Sequence, residues 1–204
     1  MRWCNAAYAT LLRARRQQLH ATIATALERE FPEIAAAQPE LLAHHYTEAA
    51  LTQQAIDNWR LAGEHAIERS ANLEAIAHLI RGLKLLEHLP EGSQRDEKEL
   101  AFQVALHTPL FATRFGSAEG ERAARRAMEL SRRVGGELRP LFRALFGLSM
   151  TSSVRGETRI GREAAEQSLV VAERCRSLRH LATLTLRWAI LCSGLASLAP
   201  HEGI

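Results

Sequence analysis

A pattern of small and large apolar residues in residues 39–90 limits the fold more than any other feature of the chain. The pattern occurs twice with identical internal separations, and the second copy begins directly where the first one ends. Small residues let two helix axes approach closely, and one bulky residue fills the space between turns. The first copy is Ala43, Tyr46, Ala55, Trp59 and Ala62, and the second is Gly63, Ala66, Ala75, Leu79 and Gly82. Because both copies use the helix predicted over residues 53–70, we expect that helix to pack against a neighbour on two sides.

The rest of the chain also favours helix. Aromatic residues make up only 5% of the sequence, and the abundant alanine, leucine, arginine and glutamate lose little freedom in helices. Apolar residues recur with a period near 3.6 from residue 5 to residue 198. These stripes predict an all-α chain of about nine helices, with Thr52 and Asn72 as N-caps and helix ends near Pro32, Pro90 and Gly156.

Three segments follow from these stripes. Residues 1–35 form an N-terminal helix, residues 36–112 carry the repeats, and residues 113–204 hold degenerate helical repeats. Pro109 should kink or break its helix, and residues 108–119 are therefore the expected boundary between two sub-arrays. A third, degenerate copy of the pattern runs from Leu145 through Ser149 and Gly156 to Ala165.

The two copies resemble the units of a tetratricopeptide array, in which a helix pair cannot bury its apolar face alone. The resemblance implies a right-handed α-solenoid of antiparallel helices. The spacing of the copies is shorter than in the family, whose repeat is about 34 residues long. An unrelated helical bundle with an alanine-rich interior is the alternative.

A longer resemblance covers residues 5–90 well and residues 91–176 loosely. The segments 38–49 (QPELLAHHYTEA) and 68–79 (ERSANLEAIAHL) carry most of it. This region is similar to the one that follows the ATPase module in large bacterial signalling proteins. Those proteins couple a class III adenylate/guanylate cyclase-like domain to a STAND-type ATPase and a tetratricopeptide tail.

The resemblance implies that any catalytic activity of that family lies outside this chain. The family's ATPase carries a G-x-x-x-x-G-K-[ST] loop and its cyclase carries metal-binding aspartates, and neither occurs in these 204 residues. We therefore expect a detached tail or fragment whose residues 1–35 link to a missing upstream module. The chain is expected to bind no cofactor and to be no enzyme.

Nine histidines raise the question of a metal site. His44 and His45 are adjacent, and neighbours on a helix point about 100° apart, so they cannot ligate one ion together. We expect no metal site, with His44 beside the Ala43 and Tyr46 face and His45 in solvent as part of a candidate partner surface. Cys175 near His180 fits a buried structural thiol better than a nucleophile.

One predicted helix is strongly basic, with arginines at Arg122, Arg125, Arg126, Arg132 and Arg133. No aromatic residue is interleaved among them, which disfavours a nucleic-acid interface. The pattern fits a solvated face or a dock for an acidic partner helix. Arg122, Arg125 and Arg126 complete the candidate partner surface with His45.

The C-terminal segment 188–199 contains no charged residue. It is well short of the roughly 20 residues that a membrane span needs, so a membrane role is disfavoured. Its apolar residues surround the predicted helix, which should drive self-association. The three cysteines show no paired spacing and no signal peptide is visible, which favours a cytoplasmic location.

These features together predict a non-catalytic scaffold for protein–protein interaction with a protein or peptide partner. The alternative is a regulatory or sensor tail of a multidomain ATPase/adenylate cyclase-type signalling protein. No motif within the chain separates the two.

Overall fold

The computed structural model describes residues 12–114, 116–135, 138–174 and Arg187. Within these residues all regular structure is helical and no strand is present, so the all-α prediction is confirmed. The described helices are α1 (Arg13–Glu30), α2 (Pro32–Ala37), α3 (Pro39–Glu48), α4 (Thr52–Glu68), α5 (Asn72–Leu86), α6 (Ser93–Thr113), α7 (Ala118–Val134), α8 (Leu138–Val154) and α9 (Thr158–Arg174). Apart from Arg187, the predicted last helix with its segment 188–199 lies outside the described residues, as do all three cysteines.

The chain divides into two compact units, Met1–Pro90 and Glu91–Ile204. This division lies upstream of residues 108–119, where the sequence placed a boundary between sub-arrays. In the first unit α1 packs on α3, α3 on α4, and α4 on α5. The prediction that residues 53–70 pack on two sides is confirmed, because α4 contacts both of its neighbours. Their shared core contains Ala24, Leu42, Ala43, Tyr46, Ala55, Trp59 and Ala62.

The same three-residue loop follows α3, α4 and α8. Its middle residue has a left-handed backbone at Ala50 (φ 59°), Ser70 (φ 58°) and Gly156 (φ 78°). The next residue donates its N–H to a carbonyl of the preceding helix, over 2.9 Å from Leu51 to Tyr46, 2.8 Å from Ala71 to Ala66, and 2.9 Å from Glu157 to Ser152. This is the Schellman motif, which satisfies carbonyls that a helix end would leave unpaired.

The last residue of each loop also begins the next helix. The carbonyl of Leu51 accepts the N–H of Ala55 over 3.0 Å, and the carbonyl of Ala71 accepts the N–H of Ala75 over 3.0 Å. Leu51 and Ala71 are therefore the N-caps, and the prediction of Thr52 and Asn72 at these positions is wrong by one position. The second copy of the pattern starts at Gly63, one helix and one loop after Ala43, so α4 belongs to both copies and their spacing is shorter than the family repeat of about 34 residues.

A glycine marks the closest approach of α4 to α5. A Cβ atom built on Gly63 would lie 2.6 Å from the Leu79 side chain, a distance that real contacts do not reach. Leu79 itself is fully buried. The pair explains why the second copy of the pattern has glycine where the first has Ala43.

The second unit is built from α6 to α9. Helix α7 packs on α6 and α8, α8 packs on α9, and α6 also contacts α8. Met128 is half-buried and packs against the cores on both sides of it. Its flexible side chain suits a position between several cores. These cores contain Leu100, Ala127, Leu130 and Ala144 on one side and Phe142, Leu145, Val171 and Ala172 on the other.

The predicted break at Pro109 does not occur, and one helix was not predicted. Helix α6 continues through Pro109 to Thr113, although proline lacks the N–H that would bond the carbonyl of Ala105. Phe102, Leu106 and Leu110 are buried on both sides of the proline, and this packing outweighs one lost hydrogen bond. The short helix α2 was not predicted, and Pro32 occupies its first turn, where a missing N–H has no consequence.

Candidate functional site

All ten residues predicted for the repeat core are buried in the first unit. Ala43, Ala55, Ala66, Ala75 and Leu79 are fully inaccessible, and Tyr46 and Trp59 keep 6% and 4% exposure. In the second unit, the helix pair α8–α9 buries the equivalent positions with smaller side chains. When the three Schellman loops are aligned, Ser149, Ser152, Gly161, Ala165 and Ser168 take the positions of Ala43, Tyr46, Ala55, Trp59 and Ala62, and all five are buried.

Trp59 joins α3 to α5. Its indole Nε1 donates a 3.0 Å hydrogen bond to the Thr47 hydroxyl, which in turn donates to the Ala43 carbonyl over 2.7 Å. On its other side, the indole stacks on the His78 ring at 5.4 Å, and the Arg81 guanidinium lies 5.0 Å from the indole centroid. Burial lowers the pKa of His78. The tryptophan is thus a structural anchor and presents no reactive group to solvent.

The histidine pair has a different arrangement from the predicted one. His45 is half-buried, and its Nδ1 lies 2.8 Å from Nδ1 of His20 on α1, while His44 is exposed. Burial lowers the pKa of His45, and the charges of His20 and His44 add to this. The prediction that His45 lies in solvent is wrong, because α1 packs over this side of α3. In the described part of the chain, no group of three or more metal-ligating side chains could hold an ion.

Several arginines of the basic helix α7 form ion pairs with carboxylates of the same chain. Arg126 donates two hydrogen bonds to Glu99 of α6, at 2.6 and 2.8 Å, and these lower the pKa of Glu99. Arg133 adds an ion pair of 2.8 Å to Asp96, so the acidic helix that α7 meets is α6 of the same unit.

The predicted partner surface is therefore only partly available. Arg125 donates a hydrogen bond to Glu121 over 2.7 Å and Arg126 is held by Glu99, so both are committed to pairs within the chain. Arg122 is exposed on the same helix. Of the predicted arginines, Arg122 is thus the one best placed to meet a partner.

The strongest candidate for a binding site is an aromatic cavity between α6 and α8. It has a volume of about 320 Å³ and is lined by His107, Thr108, Phe111, Phe142, Arg143 and Phe146. The His107 ring lies 5.7 Å from Phe111 and 6.3 Å from Phe146, and Phe142 lies 6.2 Å from Phe146. Cavities of this size with apolar walls and few polar groups are typical of small-ligand sites.

His107 forms the inner wall of this cavity. A Cβ on Gly147 would overlap its ring, so the glycine makes room for the imidazole between the two helices. Nε2 of His107 is buried and has no hydrogen-bond partner among the described residues. Burial, with a contribution from the nearby charge of Arg143, lowers the pKa of His107 to about 4. The imidazole is therefore neutral at pH 7, and Arg143 is the cation of the cavity.

These residues were not predicted from the sequence. Their signal is a pair of aromatic spacings, with His107 one helical turn before Phe111 and Phe142 one turn before Phe146. Each spacing puts two rings on one helix face. Only the contact between α6 and α8 brings the two pairs together, and no sequence pattern indicates that contact.

Two further findings bear on function. Over the residues that are described, no helix has the length and apolar character needed to cross a bilayer. Comparisons of the chain with protein-family models, curated proteins and solved structures found no significant match.

Proposed function

We propose that the chain is a non-catalytic scaffold for protein–protein interaction, built as a tetratricopeptide-like right-handed α-solenoid. The observation that carries the proposal is the recurrence of one helix–loop–helix unit. Three helix pairs are closed by the same Schellman loop, and each presents the same positions to the core. Repetition of one unit is the basis of helical-repeat proteins, whose extended surfaces bind protein partners.

The chemistry of the described residues supports a binding role over a catalytic one. The ion pairs of α7 link it to α6 or neutralise its own acidic residues, and Trp59 is buried between helices. A scaffold needs such fixed internal contacts together with an exposed face for its partner. Arg122 on α7 is exposed and fits an acidic segment of a partner. A cytoplasmic location is part of this proposal and rests on the cysteine pattern.

Affinity purification with matched surface variants tests the scaffold. The wild-type chain, Arg122→Glu and Arg139→Glu are used as baits, because both arginines are exposed and lie on different helices of the second unit. We expect a protein that the wild type and Arg139→Glu retain and Arg122→Glu releases. Equal recovery with all three baits would argue against this surface. ATP hydrolysis or cyclase turnover that persists through purification would argue against a non-catalytic chain.

The aromatic cavity favours a second candidate, a regulatory or sensor tail of a multidomain ATPase/cyclase protein. A tail of this kind needs a place for a ligand, and the cavity beside His107 provides one. The coding sequence immediately upstream distinguishes the candidates. A continuous reading frame that encodes a phosphate-binding loop would favour the sensor tail over a separate scaffold.

A further inference from the structure

The cavity between α6 and α8 combines aromatic walls with one cation. Phe111, Phe142 and Phe146 supply three rings, and their arrangement leaves about 320 Å³ between the helices. This volume is at the lower end of the range for small-ligand sites, roughly 300–1,000 Å³. One or two fused rings fit such a space, and flat rings pair favourably with tilted and edge-on phenylalanines.

Arg143 decides the charge of a suitable ligand. It lines the cavity and is exposed, and in the residues described here no hydrogen bond or ion pair engages its guanidinium. Arginines on the adjoining elements differ, since Arg126, Arg133 and Arg155 each hold a carboxylate within 3.1 Å. A guanidinium without a carboxylate beside an apolar cavity is suited to a carboxylate from a ligand, which it can bind through two parallel hydrogen bonds.

Because the His107 imidazole is neutral, Arg143 is the positively charged group among the residues that line this cavity. The imidazole is held against Gly147 and stays neutral at physiological pH because it is buried. Another cavity of the unit, about 530 Å³ around Leu100 and Val104, has a different character. Its charged side chain is the carboxylate of Glu97, which disfavours an anion there.

We propose that the cavity lined by His107, Phe111, Phe142 and Phe146 binds a small aromatic carboxylate, with the rings among the phenylalanines and the carboxylate on Arg143. The ligand class is a free acid with one or two fused rings. This inference goes beyond the scaffold proposal and does not depend on it, because binding is measured on the isolated chain.

The binding experiment uses two probes of equal shape, 1-naphthoate and the neutral 1-naphthalenemethanol. Isothermal titration and ligand-observed NMR give the dissociation constants with the full chain. We expect the acid to bind and the alcohol to bind about tenfold more weakly, since a hydrogen bond to a charged group is worth that factor or more. Equal affinity for the two probes would overturn the assignment of an anion site, and no binding of the acid at millimolar concentration would overturn the proposal.

Variants with matched controls locate the site. Arg143→Gln should weaken 1-naphthoate binding by about tenfold, while Arg139→Gln on the same helix should leave it unchanged. Thr108→Phe should fill the cavity and abolish binding, and Ala112→Phe, an exposed position on the same helix that does not line the cavity, should not. Circular dichroism and melting temperature establish that each variant folds. Loss of binding in both members of a pair, or in neither, would contradict the proposed site.

Discussion

Trp59 offers the sharpest test of how the first unit is held together. Its side chain is 4% exposed, stacks on His78 and donates a hydrogen bond to Thr47. Truncating a large buried aromatic residue to alanine costs about 3–5 kcal/mol. We expect the free energy of unfolding to fall by this amount in Trp59→Ala. The substitution would leave an empty space between α3 and α5, and α4 would lose contacts with both neighbours.

Urea melts followed by far-ultraviolet circular dichroism measure this loss. Leu61→Ala is the matched control on α4, since Leu61 is 39% exposed and its truncation should cost about 1 kcal/mol or less. If Trp59→Ala loses no more stability than Leu61→Ala, the indole does not anchor the helices. Such a result would contradict the packing of the repeat core around Trp59.

A double-mutant cycle isolates the polar part of the anchor. Trp59→Phe removes the indole donor, and Thr47→Val removes the hydroxyl acceptor and keeps the shape of the side chain. We expect a coupling energy of about 1 kcal/mol between the two changes, the usual net contribution of a buried hydrogen bond. Additive effects within about 0.3 kcal/mol would mean that the hydrogen bond contributes nothing to stability.

Three further predictions concern loops, charge and acid stability. Ala50 and Gly156 both have left-handed backbones, which glycine adopts more easily than alanine. In urea melts, Ala50→Gly should therefore stabilise the chain by about 0.5 kcal/mol and Gly156→Ala should destabilise it by about 1 kcal/mol. A change of stability in the same direction for both variants would contradict this. The His107 imidazole has a pKa of about 4 in the folded chain and about 6.5 in the unfolded chain. Its contribution to the free energy of unfolding is therefore complete above pH 6.5 and is lost as the pH falls toward 4. Relative to His107→Leu, the wild type should therefore lose about 2–3 kcal/mol between pH 7.5 and 4.5, and parallel pH profiles would contradict the burial of this group. Arg126→Gln should cost about 1–2 kcal/mol because Glu99 stays partly buried without its partner, whereas Arg159→Gln, whose side chain is 79% exposed, should cost less than about 0.5 kcal/mol.

The buried surface of α3, α4 and α5 was predictable because helix periodicity places it without knowledge of the partners. Trp59, Leu79 and Gly63 lie at the helical period and are buried against another helix. In α1 the period is misleading, because Leu19 and Ile23 are exposed and the residues next to them, His20 and Ala24, are buried. The loops were less predictable. Ala50 and Ser70 adopt backbones that favour glycine, so their own side chains give no sign of a helix end.

The predicted partner surface shows where sequence patterns become insufficient. Arg126 and His45 occur on polar helix faces. The sequence pattern of a polar face is the same whether water or another helix lies against it. The partners of these residues are Glu99 and His20, and both partners belong to other helices. Only the packing of α6 on α7 and of α1 on α3 therefore brings these side chains into contact.

The amino-acid sequence by itself determined the helical class, most helix limits and the ten repeat-core residues that α3, α4 and α5 bury. The physical reason is that these properties depend on local propensity and on the period of apolar side chains along one element. Tertiary structure alone decided which helices meet, which charges are neutralised and where the aromatic cavity forms. His107 and Phe142 are distant in the sequence and share a cavity because α6 contacts α8, and such a contact results from the sum of all packing interactions in the unit.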